Sequence, residues 1–227
     1  MEKVWVISLG GSRIVPNDKI DYKFLRDFRK MIDRHRGIKF VIVTGGGAVA
    51  REYIDGAKML GQKIKKQSLL GISATRLNAL LMTEIFGKEA NEQLPKDMKE
   101  VKNLLRKNRI VFCGALRWKP NNTSDGTAAA LAAFLKCYFI NLTNVRGVYT
   151  ANPKTNKNAK FLKNLTWKEF EGHALKIKYK AGQHFVLDQA AARIIMKKRI
   201  PTYIVSSLSD IENIITVKSY RGSLIKE

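Results

Sequence analysis

One stretch decides the fold of this chain: Val41-Ile-Val-Thr-Gly-Gly-Gly-Ala-Val-Ala-Arg-Glu-Tyr-Ile54. Residues 40–43 are apolar and mostly β-branched, which is typical of a buried strand. Three glycines end that strand, and a helical pattern follows from Ala48. Glycine lets a ligand approach the backbone closely, and the free N–H groups and dipole of a helix N-terminus favour an anion. The stretch therefore predicts a phosphate-binding turn around Gly45 and Gly46.

Arg51 lies one turn into the predicted helix, where a planar guanidinium suits phosphate oxygens. A tight strand-to-helix turn with a surface arginine has the same sequence pattern, so both interpretations stay open at this point. A second glycine turn, Gly10-Gly11-Ser12, follows a predicted strand over residues 4–9. A third turn, Thr123-Ser124-Asp125, opens an alanine-rich helix, although Thr, Ser and Asp are also preferred helix caps.

Strands and helices alternate along the whole sequence. The pattern predicts strands at 4–9, 38–43, 110–113, 137–142, 202–205 and 223–225. It predicts helices at 21–36, 48–60, 72–86, 97–108, 126–136, 167–171, 184–198 and 209–216, with a polar connector at 62–67. This alternation predicts an α/β fold, a three-layer αβα sandwich with a mainly parallel central sheet, as a single domain over residues 1–227. Ligands of such sheets bind at the carboxyl ends of strands, where all three turns lie.

The charge of the chain is unusual. Its 227 residues include 42 Lys and Arg against 19 Asp and Glu, a formal net charge of +23. This charge predicts attraction to polyanions, or a solvated basic surface, because the cations are spread along the chain. No nucleic-acid reading motif is present, so we expect any nucleic-acid binding to be weak and non-specific.

Several classes of site and location are disfavoured. Cys113 and Cys137 lack metal-ligand spacing, and the three histidines are scattered, so no protein-bound metal centre is expected. No Ser-His-Asp or Cys-His arrangement indicates a nucleophilic mechanism. The N-terminus lacks a signal-peptide pattern, and no apolar run approaches the roughly 20 residues of a membrane span. We expect a soluble, cytoplasmic protein that does not bind membranes.

Four segments in order resemble one known family. They are Ser8-Leu-Gly-Gly-Ser12, Thr44-Gly-Gly-Gly-Ala-Val-Ala-Arg-Glu-Tyr-Ile54, Gly71-Ile-Ser-Ala-Thr-Arg-Leu-Asn-Ala79 and Thr143-Asn-Val-Arg-Gly-Val-Tyr-Thr-Ala-Asn-Pro-Lys154. Together they resemble the archaeal-type uridylate (UMP) kinases of the amino-acid-kinase superfamily, with matches from about residue 3 to residue 225. Ala181-Gly182 and Asp188-Gln-Ala-Ala191 resemble that family's closing element.

The resemblance implies phosphoryl transfer from ATP, with Mg²⁺, to UMP in an oligomer, a hexamer of dimers. For the UMP site it implies these residues: Gly45, Gly46, Arg51, Thr75, Arg76, Asn78, Thr123 and Ser124. For the ATP site it implies Gly10, Gly11, Ser12, Thr143, Asn144, Tyr149 and Asn152. Asp125, Gly11 and Ser12 are the implied catalytic residues, and Asp125 would organise phosphates and metal.

The sequence departs from the family pattern at several positions. Ser68 stands where an acceptor-ribose carboxylate is usual, and Arg146 and Asn152 replace two acids on the donor side. Ile7 and Ser8 occupy positions where other superfamily members often have a lysine, and Arg13 after the turn either replaces that charge or faces solvent. Two alternatives therefore stay open: the same fold with another phosphorylated acceptor, or a nucleotide- or polyanion-binding protein without turnover.

Overall fold

The computed structural model describes residues 3–17, 19–118, 123–153, 155–176 and 186–227. Within these ranges the chain forms nine strands: β1 Lys3–Leu9, β2 Ile38–Thr44, β3 Ile110–Cys113, β4 Tyr138–Leu142, β5 Val148–Tyr149, β6 Phe161–Leu162, β7 Asn164–Leu165, β8 Thr202–Val205 and β9 Gly222–Ile225. Seven of them form one sheet in the order β3-β2-β1-β4-β8-β9-β7. All neighbours in it are parallel except β8 and β9, and β5 pairs with β6 separately.

Nine α-helices connect these strands in the described chain: α1 Gly11–Ile14, α2 Tyr22–Asp33, α3 Gly47–Met59, α4 Ile64–Phe86, α5 Met98–Lys107, α6 Ser124–Leu135, α7 Trp167–Lys176, α8 Gln189–Lys198 and α9 Leu208–Ile215. A 3₁₀ turn, Gly87–Glu89, follows α4. Side-chain oxygens cap five of the helices, those of Asp21, Asp97, Thr123, Asp188 and Ser207. These are the residue types that satisfy the free N–H groups of a first turn.

The sheet lies between two apolar layers. Alternate residues of β1 point to opposite faces, so Trp5, Ile7 and Leu9 join one core and Val6 joins the other. Helices α2, α4 and α9 cover the first face, and α5, α6, α7 and α8 cover the second. The predicted three-layer αβα sandwich with a mainly parallel sheet is confirmed.

The predicted start of α4 was wrong. The helix begins at Ile64 rather than at residue 72, so most of the predicted connector is helical. Lysine, glutamine and leucine are good helix formers, and the Ser68 hydroxyl donates to the Ile64 carbonyl at 2.9 Å within the helix. Gly71 lies inside α4, where a Cβ would be 3.0 Å from the Ile54 side chain of α3. That glycine permits close helix packing and does not end the helix.

The extended α4 is the one helix of the described chain that is long and apolar enough, over Ile64–Glu89, to cross a membrane. Its buried residues, among them Ala79, Met82 and Phe86, pack against the sheet. It also contains Lys65 and Arg76. We therefore interpret α4 as a helix that packs one face against the sheet.

Other element boundaries also differ from the prediction. Helix α2 ends at Asp33, so His35 lies beyond the helix, where it is half-buried and 3.6 Å from Glu212. Helix α8 begins at Gln189, after its cap Asp188. The predicted start at His184 lies outside the described residues, as do Ala181 and Gly182. Strands β5, β6 and β7 were missed because a two-residue strand has no readable period.

Candidate active site

Two glycine turns meet at the carboxyl ends of β1 and β2. The strands are parallel, with Leu9 beside Thr44, and the Gly45 N–H donates to the Leu9 carbonyl at 2.9 Å. A Cβ on Gly11 would lie 2.0 Å from the Gly47 nitrogen, and one on Gly45 would lie 2.5 Å from the Gly11 nitrogen. Gly47 also has φ +66°. The two turns therefore touch backbone to backbone, and neither has room for a side chain at the contact.

Two side-chain hydrogen bonds connect helix α4 with the end of β2 and the second glycine turn. The buried Asn78 amide donates to the Gly45 carbonyl at 2.7 Å, and the Thr44 hydroxyl donates to the Thr75 carbonyl at 2.8 Å. These bonds satisfy polar groups that would otherwise be costly to bury. Arg51 is exposed on α3, which begins at the same turn.

Two other predicted acceptor residues are engaged with neighbouring segments. The Thr75 hydroxyl donates to the Ile72 carbonyl at 2.7 Å and accepts from the Ala115 N–H at 2.9 Å. The Arg76 guanidinium donates to the carbonyls of Pro95 and Leu94 at 2.9 and 3.3 Å. In this structure both side chains hold loops near α4.

Asp125 lies at the start of α6, close to the glycine turns. Its Oδ1 accepts a hydrogen bond of 2.6 Å from the hydroxyl of Ser8, which belongs to β1. Burial, reinforced by the nearby charge of Asp188, raises the pKa of Asp125 to about 7, and the Ser8 bond opposes that rise. The carboxyl group can therefore change its charge near neutral pH.

A hydrogen bond joins the N-termini of α6 and α8. The Thr123 hydroxyl donates to Asp188 Oδ2 and accepts from the Gly126 N–H, while Asp188 Oδ1 accepts from the Ala191 N–H at 2.9 Å. Thr123 is thus the cap of α6, as its residue type predicted. Ser124 is the first residue of the same helix.

Three residues without a predicted role contribute to this region: Ser8, Asn141 and Asp188. Ser8 and Asn141 are neighbours in β1 and β4, both are buried, and the Asn141 amide donates to the carbonyl of Val186 just before α8. A polar residue inside an apolar strand was the available signal, because buried polar groups need partners. Asp188 and Thr123 each belonged to a predicted motif, but the sequence did not indicate that they form a hydrogen bond.

The turn that contains Gly10 and Ser12 leads into α1. The Gly10 N–H lies 3.4 Å from the Leu142 carbonyl of β4. The Arg13 side chain is half-buried rather than free in solvent. Its guanidinium stacks on the Phe24 ring at 4.8 Å and donates to the Ser206 carbonyl at 3.3 Å. Burial lowers the pKa of Arg13 from its usual value.

The remaining predicted donor residues follow β4. Thr143 is half-buried, Asn144 and Asn152 are exposed, and the Tyr149 ring packs edge-on against Phe161 at 5.4 Å. The Arg146 guanidinium is exposed and lies 4.7 Å from the centre of the same Phe161 ring. This segment therefore packs against Phe161 of β6 and against Ser223 of β9, whose hydroxyl accepts from the Val148 N–H at 2.9 Å.

The two carboxylates near the glycine turns, those of Asp125 and Asp188, are suited to bind a hard cation such as Mg²⁺. Carboxylate oxygens are preferred Mg²⁺ ligands, and Asp125 and Asp188 are close enough for one charge to raise the pKa of the other group. A bound cation would relieve that repulsion. Elsewhere, burial raises the pKa values of Cys113 and Cys137 to about 12, so neither thiol is an activated nucleophile.

Comparison with known proteins agrees with this geometry. The model of the amino acid kinase family matches residues 3–206. The chain is 38% identical over 222 residues to a uridylate kinase of Archaeoglobus fulgidus, covering 97% of this chain and 96% of that protein. It is 34% identical to a uridylate kinase of Thermococcus onnurineus, covering 88% of each.

Solved structures give the same result. The crystal structure of the Archaeoglobus fulgidus uridylate kinase superposes with a TM-score of 0.85 at 34% identity and covers 98% of this chain and 99% of that one. The UMP kinase of Ureaplasma parvum, at 21% identity and a TM-score of 0.82, shares the fold over 100% of both chains. The chain therefore belongs to the amino acid kinase family and, within it, to the uridylate kinases.

Proposed function

We propose that this protein transfers the γ-phosphate of ATP to UMP and so produces ADP and UDP. The observation that carries the proposal is the backbone contact between the two glycine turns, Gly10–Ser12 and Gly45–Gly47. Donor and acceptor phosphates bound on adjacent turns would be held next to each other. Phosphoryl transfer depends mainly on such positioning and on neutralising charge. The relatives named uridylate kinases support UMP as the acceptor.

In this proposal the UMP phosphate lies on Gly45 and Gly46 at the N-terminus of α3, where helix N–H groups and Arg51 bind it. Asn78 positions the turn through the Gly45 carbonyl. Thr75, Arg76, Thr123 and Ser124 line the acceptor side.

Gly10, Gly11 and Ser12 cradle the ATP phosphates, and the segment after β4 provides the adenosine side through Thr143, Asn144, Tyr149 and Asn152. Asp125 is the catalytic carboxylate. Ser8 orients it, because the Ser8 hydroxyl donates to its Oδ1. The donated bond favours the charged form of the carboxyl group.

The donor is ATP with Mg²⁺, and Asp125 and Asp188 are the residues that would hold the ion. When bound, Mg²⁺ supplies positive charge against the phosphate oxygens. The protein's own part is to keep both carboxylates in place, through Ser8 for Asp125 and through Thr123 for Asp188. We further propose that the protein acts in the cytoplasm as a single domain.

A coupled assay tests the reaction. Purified full-length protein is given ATP and Mg²⁺ with UMP, CMP, AMP or GMP, and ADP release is measured. We expect the highest kcat/KM with UMP. A higher value with another monophosphate would change the acceptor, and no turnover with any of them would leave a binding protein without kinase activity.

We also propose that the protein is a homo-oligomer built from dimers. Large apolar side chains are exposed on α3 and α4, and the fractions exposed are 87% for Met59, 78% for Ile64 and 60% for Leu77. Monomeric proteins rarely leave such a surface open. Analytical ultracentrifugation of wild type and Leu77→Glu checks this. Association that is unchanged in the variant would exclude this face.

A further inference from the structure

A groove lies at the amino ends of β1, β4 and β8, whereas the glycine turns lie at the carboxyl ends of β1 and β2. It has a volume of about 570 Å³, between the C-terminal ends of α6 and α8. Its floor is apolar and includes Val4, Ala132 and Ile200. The volume is within the usual range of small-molecule sites, which is roughly 300–1,000 Å³.

Four cationic residues line this groove: Lys3, Lys136, Lys198 and Arg199. All four are exposed, and no acidic residue is among the described residues that line it. In the described part of the chain, none of the four forms an ion pair, and the Lys3 ammonium lies 5.5 Å from the Trp5 ring. Clustered charges of one sign over an apolar floor attract counter-ions strongly.

The backbone places two of the four cations at equivalent positions. Lys136 and Arg199 end α6 and α8 in the left-handed region, with φ 54° and 49°. Glycine is the usual residue at such a cap, since other side chains are disfavoured there. Both helices thus place a cation, at a position that favours glycine, in the same groove. Cations near a helix C-terminus also balance its dipole, but Lys197 and Lys198 already do so for α8.

We propose that this groove is a second anion site, which binds a chain of phosphate groups. The ligand is an oligophosphate, either free or as the triphosphate of a nucleotide. Because the groove and the glycine turns lie at opposite ends of the strands, both sites can be occupied at once. In this proposal Lys136 and Arg199 are the central contacts, and Lys3 and Lys198 line the same groove.

Calorimetric titration of the full-length protein with inorganic tripolyphosphate at low salt tests the site. The test variant is Lys136→Gly with Arg199→Gly. Its control, Lys23→Ala with Lys30→Ala, removes two charges from α2. We expect the groove variant to bind tripolyphosphate at least about tenfold more weakly, as loss of charge-assisted contacts implies. We expect the control to change binding by less than about threefold.

Thermal unfolding of the same variants separates binding from folding. Glycine suits both left-handed positions, so the groove variant should unfold at the same or a higher temperature than the wild type. Equal weakening in both variants would overturn the proposal, since only diffuse charge would then be involved. So would binding that is lost in Arg51→Ala but kept in the groove variant.

Two further ligands identify the source of the phosphate chain. Tighter groove-dependent binding of ATP than of tripolyphosphate supports a nucleotide, and equal binding supports a free oligophosphate. A mixed-sequence oligonucleotide that binds more tightly than both, and loses affinity in the groove variant, would overturn the assignment in favour of nucleic acid.

Discussion

At the scale of single residues, the pKa of Asp125 depends strongly on the groups around it. Ser8 donates to it, while burial and Asp188 raise its pKa to about 7. An aspartate whose folded-state pKa exceeds its unfolded value stabilises the fold below the unfolded pKa. That contribution is lost as pH rises through the folded value.

We therefore expect Asp125→Asn to raise the free energy of unfolding of the ligand-free protein at pH 8, on the order of 2 kcal/mol after allowance for partial exposure. The gain should vanish near pH 4, because the wild-type carboxyl is then neutral. Turnover should fall more than nucleotide affinity does. Denaturant unfolding at several pH values and steady-state kinetics measure both effects.

Asp97→Asn is the matched control. Asp97 is the half-buried cap of α5, and a backbone hydrogen bond from Glu100 holds its pKa below the usual value. Its contribution has the opposite sign, since it is lost as pH falls. If Asp125→Asn and Asp97→Asn show the same pH dependence, the account of Asp125 is wrong.

Arg51 is the second residue whose role can be isolated. We expect Arg51→Ala to weaken UMP binding by about 1.5–3 kcal/mol, because a charge-assisted phosphate contact is lost. Lys58→Ala, which removes a charge from the last turn of the same helix, should leave the KM for UMP nearly unchanged. An unaltered KM in Arg51→Ala would place the acceptor phosphate elsewhere.

At the scale of elements, the two glycine turns determine how β1, β2 and α3 approach one another. A Cβ on Gly11 would overlap the backbone of the second turn, which cannot move as a flexible side chain does. Gly56, in the last turn of α3, has nothing within 4 Å of its Cβ position. Replacing glycine with alanine should therefore lower the free energy of unfolding at position 11 and raise it at position 56.

We expect Gly11→Ala to lower the free energy of unfolding by about 3 kcal/mol or more. Gly56→Ala should raise it by about 0.5–1 kcal/mol, since alanine is the better helix residue. Chemical denaturation followed by circular dichroism gives both values. A Gly11→Ala protein as stable as the wild type would show that the turns do not pack as described.

At the scale of the whole molecule, the net charge of +23 is spread over both faces of the sandwich. Exposed cations such as Lys23 on α2, Lys102 on α5 and Lys197 on α8 belong to different layers. Such a surface attracts polyanions without reading their sequence. It does not by itself form a nucleic-acid site.

We therefore expect polynucleotide binding to be independent of sequence and to weaken at least about tenfold between roughly 50 and 200 mM salt, as counter-ion release requires. Fluorescence anisotropy with several unrelated oligonucleotides measures it. Salt-resistant binding of one defined sequence would contradict this expectation and would indicate a specific nucleic-acid partner.

The sequence by itself determined the α/β class, the order of the elements and the position of the glycine turns. These depend on short-range features: the period of apolar residues, caps such as Asp21, and glycines where a strand meets a helix. The same locality explains the errors. Strand β7 has two residues, and the polar start of α4 resembles a connector until its packing against α3 is known.

Only the tertiary structure decided which side chains meet. Ser8 and Asp125 are 117 residues apart in the chain, and Thr123 and Asp188 are 65 apart. Lys136 and Arg199 end two different helices and share a groove only because α6 and α8 pack side by side on one face of the sheet. Contacts between residues so distant in sequence depend on strand order and helix packing, which no local pattern contains.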